Sequence, residues 1–132
     1  MKVLLIEDDP VCVKQLQWIL RDRGIIHSAT TAQEAITAFE HALQTKQPYN
    51  FVTLDIFLPD KDGFDVLLEI RDLERKYSHE LATVYKAIIC MLTSSKDLDH
   101  YLASVIEECD GYFVKPISSW KLLNFLNDHN LE

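Results

Sequence analysis

Basic residues are in deficit: 13 Lys and Arg stand against 21 Asp and Glu, a formal charge of −8. A surface of that sign repels phosphate backbones and anionic lipid, which excludes nucleic-acid or membrane binding driven by charge and leaves a protein or small-ligand partner. Cysteine is scarce. Cys12, Cys90 and Cys109 are odd in number, far apart and without C-x-x-C spacing, so neither a disulfide framework nor a thiolate zinc site is favoured. They read as reduced thiols, two of them in the core, in a cytoplasmic protein. The five histidines contain no H-x-x-x-H pair that would make a ligand face. Long hydrophobic runs are missing as well. The apolar stretches are strand-sized, and the N-terminus carries no secretory h-region after Met1-Lys2.

What is present is a core-forming composition, 48% hydrophobic over 132 residues, enough for one domain with little room for a second. β-Branched apolar runs recur at Val3 to Ile6, Ile25 to Thr30, Phe51 to Leu54, Ala87 to Leu92 and Tyr112 to Val114, and each reads as a strand. Segments of helical period lie between and after them. Val13, Leu16, Ile19 and Leu20 mark the first, Ala35, Phe39, Ala42 and Leu43 the second, and Leu67 with Ile70 the third. Leu98, Leu102, Val105 and Ile106 mark a fourth, and Leu122, Leu123 and Leu126 a fifth. Pro10 is placed to open the first helix and Arg23-Gly24 to close it, and Thr31 with Glu34 has capping-box spacing. Trp18 and Trp120 read as partly buried helix residues.

Five strands alternating with five helices imply a parallel sheet covered on both faces, with buried strands. The charge-rich stretch Arg71 to Lys86 predicts a third helix that runs on for extra turns and ends in a surface loop; it is either a docking surface or simply a longer helix.

In an open parallel sheet the ligand site lies beyond the carboxyl ends of the strands. The first strand there ends in Glu7-Asp8-Asp9, the third in Asp55, the fourth in Thr93-Ser94-Ser95 and the fifth in Lys115. Carboxylates ~5 Å apart repel by roughly 3 kcal/mol per pair at an effective dielectric of 20, so the cluster calls for a cation. An all-oxygen site without His or Cys suits Mg²⁺. Lys115 adds a positive charge and Thr93 a hydroxyl donor, a set suited to holding a phosphoryl group on or near an aspartate.

Four motifs carry a resemblance to the response-regulator receiver family, of the stand-alone CheY-like type: Val3-Leu-Leu-Ile-Glu-Asp-Asp-Pro10, Leu54-Asp-Ile-Phe-Leu-Pro-Asp-Lys-Asp-Gly63, Met91-Leu-Thr-Ser94 and Tyr112-Phe-Val-Lys-Pro116. The resemblance implies a flavodoxin-like (βα)5 fold with strand order 2-1-3-4-5 and helices on both faces, residues 1–132 forming a single receiver domain without an output domain. It makes Asp55 the phosphoacceptor. Glu7, Asp8, Asp55 and the backbone carbonyl of Phe57 become the Mg²⁺ ligands, with Asp9 at most outside the metal's direct contacts. Thr93, Ser94 and Lys115 become phosphate-binding residues, Tyr112 an aromatic switch beside its plainer reading as a core aromatic, and Lys115-Pro116 a cis bond.

The function implied is that of a two-component response regulator, not a turnover enzyme, that takes phosphate from a histidine kinase or histidine phosphotransfer protein. It then signals through a downstream protein on the face of the fourth helix, fifth strand and fifth helix, or relays phosphate onward. Glu7 stands where aspartate is commoner. Phe57 and Ser95 occupy positions that influence water access, and a bulky Phe57 would slow hydrolysis. Phe57 also stands where an aspartyl-nucleophile phosphohydrolase would carry its second aspartate, which argues against turnover. Acids after the first strand argue against a flavodoxin. A phosphorylation-independent binding module on the same fold is the remaining alternative.

Overall fold

Each predicted apolar run forms a strand in the computed structural model, which describes residues 1–94 and 107–131. The strands are β1 (Lys2–Ile6), β2 (Ile25–Ala29), β3 (Phe51–Asp55), β4 (Ile88–Thr93) and β5 (Gly111–Val114), all parallel in the order β2-β1-β3-β4-β5. Four helices lie among the described residues: α1 (Pro10–Ile19), α2 (Ala32–Gln44), α3 (Gly63–Leu81) and α4 (Ser119–Asp128). The expected helix marked by Leu98, Leu102, Val105 and Ile106, together with Ser95, falls outside the described residues.

The period-two alternation of each strand sorts its side chains into two cores. Leu4, Ile6, Val52, Leu54, Ile89 and Met91 face α2 and α3, meeting Phe39, Leu43, Leu67 and Ile70. Val3, Leu5, Phe51, Cys90 and Leu92 face the other way, against Leu16, Ile19, Leu122 and Leu126 of α1 and α4. Each fully buried Leu, Ile or Phe contributes about 1.5–3 kcal/mol relative to exposure. Of the strands, β3 is buried throughout, and β1 and β4 are buried beyond their first residue. The edge strands β2 and β5 are exposed or half-buried along most of their length, because a strand with one neighbour lies partly beyond the covering helices.

All four helices start on a side-chain cap, which supplies a partner to N–H groups the helix itself cannot satisfy. Asp9 accepts from Val11, Thr31 from Glu34, Asp62 from Phe64 and Ser118 from Lys121. The expected capping box is half formed, since the Glu34 carboxylate reaches the N–H and hydroxyl of Thr30 and not Thr31. Pro10 opens α1 as predicted, but the helix stops at Ile19, short of Arg23-Gly24. Gly24 serves the turn into β2 instead: its φ is 133°, and a Cβ there would lie 1.9 Å from the Met1 carbonyl oxygen. α3 does run long and ends on Ala82 in the left-handed region, φ 52°.

Three packing expectations need correction. All three cysteines are buried, not two. Trp18 and Trp120 are 66% and 73% exposed, because α1 buries its Cys12, Leu16 and Ile19 stripe and α4 its Leu122 and Leu126 stripe. Trp18 is covered from outside, by the Arg21 guanidinium 3.8 Å from the ring centroid. No described helix is long and apolar enough to cross a membrane.

Candidate phosphoacceptor and metal site

Parallel register brings the strand ends to one rim. Ile6 pairs with Leu54, Asp55 with Leu92, and Thr93 with Val114, so Glu7, Asp55, Thr93 and Lys115 emerge side by side from β1, β3, β4 and β5. Carboxylate oxygens of Glu7, Asp8 and Asp55 all lie within 4.8 Å of one another. Glu7 and Asp55 are buried, whereas Asp8 is exposed at the mouth. Lys115 Nζ stands between the two buried acids, 2.7 Å from Glu7 Oε2 and 3.5 Å from Asp55 Oδ2.

The pair of Lys115 with Glu7 is an ion contact off the line of a hydrogen bond. Glu7 Oε2 is one of two buried side-chain atoms among the described residues that lack a hydrogen-bond partner, the other being Thr53 Oγ1. Glu7 Oε1 accepts from the N–H of Asp9 at 3.1 Å. Burial, and then the neighbouring Glu7, push the Asp55 carboxyl up from 3.8 to about 6, against the pull of the Phe57 N–H and of Lys115. Burial draws the Lys115 ammonium down, but Glu7 and Asp55 outweigh it and hold its pKa above the ordinary value. One cation therefore serves two buried acids and an exposed third, leaving the cluster net negative.

The loop after β3 turns back beside Asp55. Phe57 donates its N–H to Asp55 Oδ1 at 3.1 Å, Phe57 and Asp62 form an antiparallel bridge, and Gly63 donates to Ile56 O at 2.8 Å. Gly63 is required by that return, since a Cβ there would sit 2.5 Å from the Asp55 carbonyl oxygen. The Phe57 side chain points away and is largely exposed. Thr93 is fully buried at the end of β4 and accepts the Lys115 N–H on its carbonyl at 2.7 Å; Ser94 beyond it is exposed. The Lys115-Pro116 bond is cis. Tyr112 is 42% exposed on β5, which removes its reading as a core aromatic.

Two features of this end of the molecule were not foreseen. The Cys12 thiol faces the acids, and burial followed by Glu7 push it up to about 12, so it stays protonated. Asp60, in the loop after β3, accepts from Ala32 and Gln33 at the start of α2. Neither carries a local signal, because each partner is distant in sequence or on another element.

Residues 3–127 match the family model of the response regulator receiver domain. The chain belongs to that family. It is similar to the two-component response regulator ORR22 of rice, with 31% identity over 94% of this chain and 16% of that protein. Similarity to the response regulator ARR10 of Arabidopsis thaliana is alike, 32% over 94% of this chain and 20% of that one. The receiver domain thus spans a fifth or less of the length of these curated relatives.

In fold it resembles the receiver domain of the histidine kinase CKI1 from Arabidopsis thaliana, solved with Mg²⁺ and BeF₃⁻, at a TM-score of 0.82 and 18% identity over 99% of this chain and 90% of that one. A CheY-like receiver from Methanospirillum hungatei gives a TM-score of 0.75 and 23% identity over 97% and 91%. At such identities these structures speak to the fold alone. As a member of the family, the protein is a receiver module of two-component signalling.

Proposed function

We propose that this receiver domain accepts a phosphoryl group on Asp55 from a phosphohistidine of a partner kinase or phosphotransfer protein. The observation that carries the reading is the convergence of Glu7, Asp8 and Asp55 within 4.8 Å, with Lys115 Nζ beside two of them. The donor set is all oxygen, net negative and open to solvent through Asp8, and one buried Glu7 oxygen lacks a hydrogen bond; these features fit a hard dication such as Mg²⁺. Glu7, Asp8, Asp55 and the Phe57 carbonyl would hold it. Bound there, Mg²⁺ supplies neutralising charge between the carboxylates and the transferred group.

Asp55 attacks phosphorus with a carboxylate oxygen while the histidine N–P bond breaks, so an acyl phosphate forms and the imidazole leaves with the electron pair. Lys115 pairs with an oxygen of the arriving group, exchanging part of its contact with Glu7 and Asp55 for that contact. The modified side chain brings about −1.5 to −2 charge into a buried rim, which Thr93 meets with its hydroxyl. Tyr112 and α4 turn the change of charge into a change of protein contact. The domain works by this modification and not by turnover.

Phosphoramidate, whose N–P bond mimics phosphohistidine, supplies the test. Incubation with the protein and Mg²⁺ is expected to give a hydroxylamine-labile label, the signature of an acyl phosphate, that maps to Asp55 and disappears when Mg²⁺ is chelated. A label that survives hydroxylamine, or one on another residue, would overturn the reading.

A further inference from the structure

On the reading proposed above, the surface loop between β3 and α3 supplies the Phe57 carbonyl as a ligand beside Glu7, Asp8 and Asp55. Its inner end is secured by the Phe57 N–H on Asp55, the Phe57–Asp62 bridge and the Gly63–Ile56 hydrogen bond. Asp62 anchors the far end as the cap of α3. The apex, Leu58 to Lys61, is where the chain would otherwise drift. There Asp60 turns back across the molecule and accepts two N–H groups from α2, from Ala32 on Oδ1 at 2.8 Å and from Gln33 on Oδ2 at 3.1 Å.

These are the first two N–H groups of α2, which no residue within the helix can satisfy. Thr31, the local cap, serves only the third, from Glu34. The helix start is therefore capped jointly, by its own threonine and by an aspartate 28 residues downstream. Charge favours the arrangement, since a carboxylate at a helix N-terminus meets the positive end of the helix dipole. Those N–H groups, Ala32 first, hold the Asp60 carboxyl below its ordinary range.

Lys61 beside it pairs with Glu69 on α3, fixing the next residue of the apex to the other flanking helix. The loop is thus strung between α2 and α3 by two consecutive side chains. α2 in turn is packed through Ala35, Phe39, Ala42 and Leu43 into the core that also holds Val52 and Leu54 of β3. The support for the loop is therefore the same rigid layer that carries Asp55.

We infer that Asp60 is a positioning residue for the cation site: by capping α2 it fixes the Ile56–Asp62 loop, and with it the Phe57 carbonyl, against Asp55. This rests on the reading above that Glu7, Asp8 and Asp55 hold a divalent cation. Asp60 itself touches neither the cation nor the phosphoryl group. Groups that orient a metal ligand from outside are commonly worth one to two orders of magnitude in metal affinity.

The experiment is a calorimetric titration of Mg²⁺ into the wild type, Asp60→Asn and Asp60→Ala, with a thermal melt of each metal-free protein. The two variants remove the same charge, but only Asn keeps an oxygen that can accept from Ala32. Asp60→Ala is expected to weaken Mg²⁺ roughly tenfold and Asp60→Asn roughly threefold, the difference reporting position and not charge. Equal affinities in the two variants, with or without a lower melting temperature in Asp60→Ala, would reduce Asp60 to a helix cap and overturn the inference alone. If the wild type itself shows no saturable Mg²⁺ binding, and Asp8→Asn is indistinguishable from it, the cation site fails and the inference falls with it.

Discussion

Lys115 Nζ lies closer to Glu7 than to Asp55, the proposed phosphoacceptor, 2.7 Å against 3.5 Å. The ammonium thus rests on the more deeply buried acid and leaves Asp55 partly uncompensated. Replacing it by Met leaves Glu7 buried without a cation. The Lys115→Met variant is expected to lose about 2 kcal/mol of metal-free stability at neutral pH, read from urea midpoints. An unchanged midpoint would mean that this ammonium does not neutralise the pair.

Asp55 itself works against stability. Its folded pKa of about 6 exceeds the ordinary 3.8, so between those values the folded protein binds more protons than the unfolded chain, and stability falls as pH rises through that window. Above it the full penalty applies, a shift worth up to about 3 kcal/mol. Asp55→Asn, which carries no charge, should therefore raise the metal-free melting temperature at neutral pH and leave it little changed below pH 3.8. A variant equally stable or less stable at neutral pH would show that the carboxyl is not strained by burial.

Far from the site, Arg71 joins α3 to the base of the sheet. Its guanidinium donates to Glu74 Oε1 at 2.6 Å, to the carbonyls of Ala87 and Glu108, and to Asp110 Oδ2 at 3.1 Å, while Glu74 and Asp110 accept the N–H groups of Ala87 and Ile89. Removing the cation strands buried Glu74, whose carboxyl burial already pushes up. Arg71→Met is expected to cost about 3 kcal/mol in a denaturant titration. Arg71→Lys should recover little of it, since an ammonium cannot reproduce the planar fork.

Much of the site is legible in the sequence because a parallel sheet separates its parts cleanly. Apolar runs that must be buried stop where Glu7, Asp55 and Lys115 begin, and the rule that ligands gather at the carboxyl ends does the rest. The length of α3 is legible too, from the charge-rich stretch Arg71 to Lys86 that precedes β4. What escapes is contact between distant positions. Asp60 on α2 and Arg71 on Asp110 are pairings across 28 and 39 residues that leave no local pattern. The tryptophans mislead for a related reason: residue type gives the tendency to be buried, but the helix face decides, and Trp18 and Trp120 lie off the buried stripes.

Thr53 on β3 offers a test at a point where the fold gains nothing from polarity. Its hydroxyl is fully buried without a hydrogen-bond partner, on the strand that delivers Asp55. Thr53→Val keeps the branched shape and deletes the unsatisfied group, so stability should rise by about 1 kcal/mol. A loss on thermal or chemical unfolding would mean that the hydroxyl has a partner in solution, such as an ordered water.

The central claim, Mg²⁺-dependent phosphorylation of Asp55, is tested most directly by intact mass after incubation with acetyl phosphate, with and without Mg²⁺, on the wild type and on Asp55→Asn. The account predicts a gain of one phosphoryl group that requires both Mg²⁺ and Asp55. A wild type that gains no mass with Mg²⁺ present, or an Asp55→Asn protein that gains as much, would contradict it.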